Sequence, residues 1–238
     1  MTYRQLSMAK IYIMIDILIP LYNGAEFLDE CLNSVRAQTY KEWRVLIGVN
    51  GHPAESEVYR QAMRNECHNI RVLDMPNVKG KVEALNKMLE FCTHPWIALL
   101  DVDDVWCPTK LASQMPFTQR YDVVGTACRY FRDVLANIHN TNDSPPIPLG
   151  DITKYDFAYC NPIINSSSLT KRELCGWRQY RGVEDYDLWI RLWKKGCKFY
   201  NVGTCEVYHR LHDASAFNSK GNHSYVPALL QSHGLRQT

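Results

Sequence analysis

Short apolar runs alternate along the first hundred residues with stretches whose apolar positions recur at helical spacing. Residues 11–19 are aliphatic and mostly β-branched, which is typical of a strand buried on both faces. Pro20 is expected to end this strand because proline has no amide hydrogen. Residues 21–38 then predict a helix with one apolar face. That face carries Phe27, Leu28, Cys31, Leu32 and Val35.

The same alternation continues, with strands predicted at 43–49, 70–73 and 96–100 and helices at 55–65 and 81–92. Strands that alternate with helices in this way predict a parallel sheet covered by helices on both faces. Ligands of such sheets bind beyond the carboxyl ends of the strands. Three strand ends should therefore open onto one rim, which carries Pro20 to Asn23, Asn50 with Gly51, and Asp101 to Asp104.

The second half of the chain has a less regular pattern. It predicts a proline-containing surface loop, an extended segment, a helix and a strand, at residues 137–149, 163–172, 184–196 and 197–202. We expect one domain over residues 1–213 and a flexible C-terminal tail over 214–238. A weak apolar patch at 226–230 offers the alternative that the tail docks on a partner.

Composition narrows the classes of function. The 238 residues, 46% of them hydrophobic, suffice for the core of one α/β domain. Lysine and arginine number 27 against 25 acidic residues, without a long basic run, so nucleic acid is not an expected partner. The nine cysteines include no C-x-x-C pair, which argues against a zinc site or a disulfide framework.

The first apolar run is about nine residues long and contains Asp16. It is too short to span a membrane and lacks the small-residue cleavage site of a signal peptide. We therefore expect a cytoplasmic protein with no transmembrane segment. Peripheral contact with a membrane stays open.

Three carboxylates, Asp101, Asp103 and Asp104, follow the fourth predicted strand within four positions. A bare D-x-D pattern is more often a solvated acidic turn, but its place at the ligand rim favours a cation site. Mg²⁺ and Mn²⁺ commonly bind through one or two carboxylates together with substrate phosphates. Such an ion would neutralise a departing nucleoside diphosphate. The chain contains no G-x-x-x-x-G-K-[ST] loop, which excludes a P-loop kinase or ATPase.

A second acidic cluster, Glu184, Asp185 and Asp187, lies at the start of a predicted helix. The helix dipole stabilises a carboxylate in the first turn by about 0.3–1 kcal/mol, which could explain one of these residues. Three carboxylates in four positions are more than helix capping requires. One of them could act as general base towards an attacking hydroxyl. Arg210 and His212 would share one side of a strand, where the arginine could face phosphate and the imidazole could complete a metal site. A single histidine is more often a surface or packing residue.

Six segments resemble, in order, the family 2 glycosyltransferases of GT-A fold. Each is modest alone, but together they span roughly residues 11–213. The resemblance implies an α/β fold, with a mostly parallel nucleotide-binding sheet flanked by helices and an acceptor-binding second half. It also implies metal-dependent, inverting transfer of a sugar from a nucleoside diphosphate donor to an acceptor hydroxyl on a glycan. The segments are residues 17–40, 77–90, 99–104, 161–177, 182–196 and 208–213.

The resemblance also assigns roles to residues. Asp185 would be the catalytic base, with Glu184 beside it at the acceptor. Mn²⁺ or Mg²⁺ would be held by Asp101, Asp103 and His212. The nucleotide sugar would contact Pro20, Leu21, Tyr22, Asn23, Asn50, Lys81, Asp101 and Asp103.

The turn after the second strand departs from the family pattern. The family usually carries Asp-Asp-Gly-Ser there, and its first acid hydrogen-bonds the base, commonly uracil. This chain has Val49, Asn50, Gly51 and His52 instead. Valine cannot accept that bond, although the Asn50 amide offers a donor and an acceptor. The family therefore favours a UDP-sugar, while the identity of the base stays open.

Two other classes of function stay open. Residues 101–105 also match the D-x-D-x-[TV] motif of haloacid-dehalogenase-type phosphatases, in which Asp101 would be the nucleophile and Asp103 an acid/base. That motif normally follows the first strand, whereas here three strand–helix units precede it. The other alternative is a non-catalytic module that binds sugar nucleotides.

Overall fold

The structure is a computed structural model that describes residues 12–131, 144–180, 182–211 and 225–236. Nine strands of these residues form one sheet. They are β1 (Ile15–Leu21), β2 (Trp43–Asn50), β3 (Ile70–Met75), β4 (Trp96–Leu99), β5 (Val105–Trp106), β6 (Val123–Phe131), β7 (Gly150–Asp151), β8 (Leu169–Lys171) and β9 (Phe199–Arg210). The α-helices are α1 (Leu28–Arg36), α2 (Glu57–Met63), α3 (Lys81–Leu89), α4 (Lys110–Gln114), α5 (Glu184–Lys194) and α6 (Val226–Ser232).

The sheet is mostly parallel, as the sequence predicts. Its strand order is β3-β2-β1-β4-β8-β6-β9-β5, and β7 pairs with β9. Strands β1 to β4 pair in parallel. Strand β8 runs antiparallel between β4 and β6, which restores the direction, and β9 is parallel to β6. The carboxyl ends of β1 to β4, β6 and β9 therefore share one edge.

Helices cover both faces of the sheet. Alternate residues of β1 face opposite layers, because side chains of a strand alternate between its two sides. Ile15, Ile17 and Ile19 pack in the layer that contains α1 and α2, whereas Leu18 packs in the layer that contains α3, α5 and α6. The apolar face predicted for the first helix is buried at Leu28, Cys31, Leu32 and Val35.

Pro20 does not end the first strand, contrary to the prediction. Strand β1 continues to Leu21, and Pro20 lies in register with Gly48 of β2. The pairing of β1 with β4 stops at Leu18. The backbone of Pro20 points to the same side as that of Leu18, so its missing amide lies beyond the last ladder pair with β4.

Two predicted elements of the second half have different extents. The extended segment at 163–172 contains a 3₁₀ turn at Asn165–Ser167 before β8. The strand predicted at 197–202 continues to Arg210, which brings the end of β9 to the same sheet edge as Asp101.

Part of the predicted C-terminal tail is helical. Helix α6 buries Leu229 and Leu230 against the chain's own core, while residues 212–224 lie outside the described part. The domain boundary at residue 213 stays a prediction. Across the ranges that the structure describes, no helix is both long enough and apolar enough to cross a membrane.

Asp16 is a charged residue buried in the sheet. Its carboxylate accepts hydrogen bonds from Arg44 Nε at 2.8 Å and from the amides of Thr93 and His94 at 2.8 and 3.0 Å. The Nδ1 atom of His94 also lies 2.8 Å away. A buried charge is tolerated when it is paired and hydrogen-bonded in this way. The cluster joins β1 and β2 to the segment before β4, at the edge opposite the strand ends.

Replacement of Asp16 by alanine should destabilise the fold by about 3–5 kcal/mol, because it leaves the Arg44 charge without its carboxylate and the Arg44 Nε and two amides without their acceptor. Denaturant unfolding at neutral pH measures this loss. Glu90→Ala is the control, because Glu90 forms an exposed pair with Lys87 and its loss should cost less than about 1 kcal/mol. Equal losses in the two variants would contradict the assignment.

Candidate active site

Asp101 lies where β4 ends, and its two carboxylate oxygens have different partners. Lys81 Nζ lies 2.5 Å from Oδ1, and Asn165 Nδ2 donates to Oδ2 at 3.0 Å. Burial raises the pKa of Asp101, but Lys81, Asn165 and His209 together hold that pKa below its usual value. Asp101 is therefore an ionised carboxylate at neutral pH.

Asp104 lies three residues away and is almost completely buried. It accepts hydrogen bonds from Ser166 Oγ at 2.5 Å and from the amide of Arg210 at 3.0 Å, and His209 Nδ1 lies 3.0 Å from it. Burial lowers the pKa of His209, but the neighbouring carboxylates, Asp104 above all, raise it to about 9. His209 is therefore an imidazolium at neutral pH, and its contact with Asp104 joins β9 to the turn after β4.

The two carboxylates of this turn that the sequence assigned to a cation are Asp101 and Asp103. Oxygen donors of this kind suit Mg²⁺ or Mn²⁺. Asp101 already has one partner on each oxygen, but a carboxylate offers about four lone-pair sites. No cluster of three histidine, cysteine, aspartate or glutamate side chains that could hold a metal occurs within the described ranges. These carboxylates fit an ion whose remaining ligands are phosphate oxygens and water. The predicted third ligand, His212, lies outside the described residues.

Asp185 belongs to the first turn of α5, and the charge of Lys81 acts on it. Asn161 Nδ2 donates to one of its oxygens at 2.9 Å and the amide of Tyr186 to the other at 2.8 Å. Burial and the adjacent Glu184 raise the pKa of Asp185 to about 6, although Asn161 and Lys81 act in the opposite direction. A carboxylate with such a pKa is ionised at pH 7 and accepts protons more readily than an ordinary aspartate.

Lys81 connects the two acidic clusters. It is the first residue of α3, which begins after Gly80 at the rim. Burial lowers the pKa of Lys81, but the carboxylates of Asp101, Glu184 and Asp185 raise it above the usual value. The structure thus brings together four residues that the sequence assigned to the site from segments about 100 positions apart.

Asp187 is separate from this site. It is fully buried, accepts from Arg191 Nε at 2.7 Å, and lies 2.8 Å from Nε2 of His233. Asp187 therefore has a structural role and joins α5 to the C-terminal segment, unlike the other two acids at the start of this helix.

The predicted nucleoside side of the rim contains residues with different exposure. Tyr22 is 55% exposed, Asn23 is also exposed, and Pro20 is partly buried. The side chain of Leu21 is fully buried in the core, so only its backbone could face a ligand. The ring of His52 lies 5.2 Å from that of Tyr22, and its Nε2 is 2.5 Å from the Tyr22 carbonyl oxygen.

The turn after β2, whose sequence differs from the family pattern, contains buried residues and a glycine. Val49 is fully buried in the layer of α1 and α2. Asn50 is 1% exposed, and its Nδ2 has no hydrogen-bond partner among the described residues. Gly51 has a φ of 72°, and a Cβ there would lie 2.8 Å from the ring of Tyr22. Glycine is therefore required at this position, both by the backbone and by the close aromatic ring.

Arg210 does not face a phosphate site, so that alternative from the sequence is wrong. The residue is 5% exposed, its Nε donates to the Asp103 carbonyl at 2.9 Å, and its Nη2 pairs with Glu30. The guanidinium carbon lies 4.6 and 4.4 Å from the ring centroids of Phe27 and Phe131.

Sequence reasoning gave no role to Asp104 or His209. The sequence signal for Asp104 was a third acid next to a two-carboxylate motif. No sequence signal identified its partner, His209.

The chain belongs to glycosyl transferase family 2, because the sequence profile of that family matches residues 16–181. Family 2 enzymes are inverting, so the protein is an inverting glycosyltransferase. The phosphatase interpretation is therefore wrong.

Curated relatives cover most of the chain. The putative glycosyltransferase EpsE of Bacillus subtilis is 25% identical over 94% of this chain and 82% of its own length. The UDP-Glc:alpha-D-GlcNAc-diphosphoundecaprenol beta-1,3-glucosyltransferase WfaP of Escherichia coli is 27% identical over 87% of this chain and 81% of its own length.

Solved structures share the GT-A fold. TarS 1-349 of S. aureus, in complex with UDP-GlcNAc, has a TM-score of 0.67 at 16% identity. The match covers 87% of this chain but only 61% of the TarS chain. The mannosyltransferase PcManGT of Pyrobaculum calidifontis, with GDP-Man and Mn²⁺, has a TM-score of 0.65 at 16% identity, and the match covers 94% of this chain and 65% of that one. The predicted fold class is confirmed.

Asn161→Ala should raise the pKa of Asp185 further, because it removes a hydrogen bond that stabilises the ionised carboxylate. The measurement is an NMR titration of the Asp185 carboxyl carbon. Asn165→Ala is a matched control, since it removes the same kind of bond from Asp101 and should leave Asp185 unchanged. A lower pKa in Asn161→Ala would contradict the arrangement.

Proposed function

We propose that the protein transfers a sugar from a nucleoside diphosphate sugar, with a UDP-sugar as the expected donor, to a hydroxyl of a glycan acceptor. The proposal depends on one observation above all. Lys81 pairs directly with Asp101, a carboxylate that stays ionised, and its charge also acts on Asp185, a carboxylate with a raised pKa. This arrangement supports a diphosphate-binding charge and a proton acceptor at one rim.

On the donor side, Lys81 and the start of α3 would bind the diphosphate. An ammonium forms strong charge-assisted hydrogen bonds with phosphate, and the N-terminus of a helix favours anions. Asp103, together with Asp101, would hold Mn²⁺ or Mg²⁺. Such an ion offsets the negative charge that develops on a departing diphosphate.

The relatives support this donor chemistry but do not determine which nucleobase the donor carries. WfaP is named for UDP-Glc, TarS was solved with UDP-GlcNAc, and PcManGT was solved with GDP-Man and Mn²⁺. Tyr22, Asn23 and Asn50 would line the nucleoside side. Because the side chain of Val49 is apolar, it cannot supply the acceptor for uracil that the family usually has, so both UDP and GDP need testing.

On the acceptor side, Asp185 would take the proton of the attacking hydroxyl. The direction of its pKa shift suits this role, because a general base works best when its pKa lies near the working pH. Glu184 would sit beside it and sustain that raised pKa through its charge. Inversion follows from attack on the face of the sugar opposite the departing diphosphate, which requires the base and the diphosphate site to lie on separate sides.

Asp185→Asn should abolish sugar transfer and leave nucleotide affinity within about twofold of the parent, because the base acts only on the acceptor. Asp103→Ala should instead weaken nucleotide binding in Mn²⁺ by about tenfold or more and have no effect in EDTA. Calorimetric titration with UDP and GDP measures affinity. Nucleoside diphosphate release from UDP-glucose, with GlcNAc-diphosphoundecaprenol as acceptor, measures transfer.

The two variants serve as controls for each other. Asp185→Asn should not lose stability, because burial already disfavours the ionised aspartate. Full turnover by Asp185→Asn would rule out its role as base. Nucleotide binding by the parent without turnover on the donor and acceptor tested would contradict the proposed substrates.

The rate should fall below pH 6. The base must be ionised, so kcat/KM is expected to drop about tenfold per pH unit below an apparent pKa near 6 and to level off above it. In Glu184→Gln this limb should move to lower pH, because the neighbouring charge that raises the pKa of Asp185 is removed. Rates measured from pH 4.5 to 8.5 test this. An acidic limb of the pH–rate profile that does not move in Glu184→Gln would show that Glu184 does not raise the pKa of the catalytic base.

A further inference from the structure

The turn after β4 is held from the outside by the end of β9. The turn is closed internally by one hydrogen bond, from the amide of Asp104 to the carbonyl of Asp101 at 3.0 Å. Asp103 lies between these two residues. Its backbone carbonyl accepts a hydrogen bond from Arg210 Nε at 2.9 Å. We propose that Arg210 is a positioning residue that fixes Asp103 in the orientation needed to face the nucleotide diphosphate; this rests on the proposed function.

Arg210 binds the turn through both its side chain and its backbone. While its Nε holds the Asp103 carbonyl, its amide donates to Asp104 Oδ1 at 3.0 Å. The other oxygen of Asp104 accepts from Ser166 Oγ, so Asp104 cannot rotate away. Two successive residues of the turn are therefore tied to one residue of β9.

The guanidinium is itself held on three sides. Its Nη2 pairs with Glu30 of α1, and its central carbon lies over the rings of Phe27 and Phe131, at 4.6 and 4.4 Å from their centroids. Arginine has a flat, forked group that can stack on aromatic rings and donate in two directions at once, and lysine has neither property. This geometry explains why the position needs arginine rather than any cation.

The arrangement also separates Arg210 from the residues that would touch substrate. The side chain is almost completely buried, so it reaches the site only through the backbone of Asp103. Its removal should therefore loosen the turn without removing any ligand-binding group. That difference allows a test that does not depend on turnover.

The test compares Arg210→Lys with Arg44→Lys. Both replace a largely buried arginine that pairs with a carboxylate, but Arg44 pairs with Asp16 at the opposite edge of the sheet. Amide hydrogen exchange is measured in the full chain without ligand. We expect exchange at Asp103, Asp104 and Val105 to speed up by about tenfold or more in Arg210→Lys and to stay at the parent rate in Arg44→Lys.

A second variant, Glu30→Gln, keeps the arginine and removes the charge that holds Nη2. It should speed exchange at the same three amides by a smaller factor. If Arg210→Lys fails to fold, the exchange rates of Glu30→Gln alone test the proposal. Exchange at these amides that matches the parent in Glu30→Gln and in any folded Arg210→Lys would overturn the proposal. So would an increase spread evenly over the sheet, which a merely structural residue would give.

Nucleotide binding supplies the functional measurement. With Mn²⁺ present, the Kd for UDP or GDP should rise by about tenfold in Arg210→Lys, and with EDTA it should stay at the parent value. A loosened turn with unchanged Mn²⁺-dependent affinity would show that Arg210 does not position Asp103 for the diphosphate. If the parent itself binds neither nucleotide, the proposed function fails, and the exchange rates still decide whether Arg210 holds the turn.

Discussion

The ammonium of Lys81 is the interaction on which the candidate site depends. Asp101, Glu184 and Asp185 bring three negative charges to one rim, and like charges so close destabilise each other. Lys81 offsets this repulsion unequally. It binds Asp101 directly and acts on Asp185 only through space, where Glu184 and burial work against it. One cation therefore leaves one carboxylate firmly ionised and the other ready to exchange a proton near neutral pH.

Topology explains how residues from distant segments meet around that cation. A single short antiparallel strand, β8, lies between β4 and β6 and restores the strand direction, so that β6 and β9 run the same way as β4. The ends of β4 and β9 then share an edge, and Arg210 reaches the turn that follows β4. The 3₁₀ turn before β8 contributes Asn165 and Ser166, which bind Asp101 and Asp104.

The sequence was informative wherever local periodicity decided the outcome. Apolar spacing predicted α1, α3 and α5 and the parallel strands, and the strand ends predicted the rim. It could not predict contacts between segments far apart in the chain, such as Arg210 with Asp103. Nor could it show that β1 continues through Pro20, because that depends on where the neighbouring strand stops. The orientation of Val49 towards the core depends in the same way on the register of β2.

The number of partners on each carboxylate separates the structural acids from the candidate catalytic ones. Asp16 has two partners per oxygen, which fills the four lone-pair sites of a carboxylate. Asp104 has three partners, and one of them, His209 Nδ1, lies close to both of its oxygens. Asp101 and Asp185 each have one partner per oxygen. Their unfilled acceptor capacity lies at the rim, where a cation or an acceptor hydroxyl would need it. Residue identity alone cannot make this distinction, because Asp103 and Asp104 are adjacent and chemically identical. It arises from the end of β9, which supplies two of the three partners of Asp104, whereas Asp103 is partly exposed at the sheet edge.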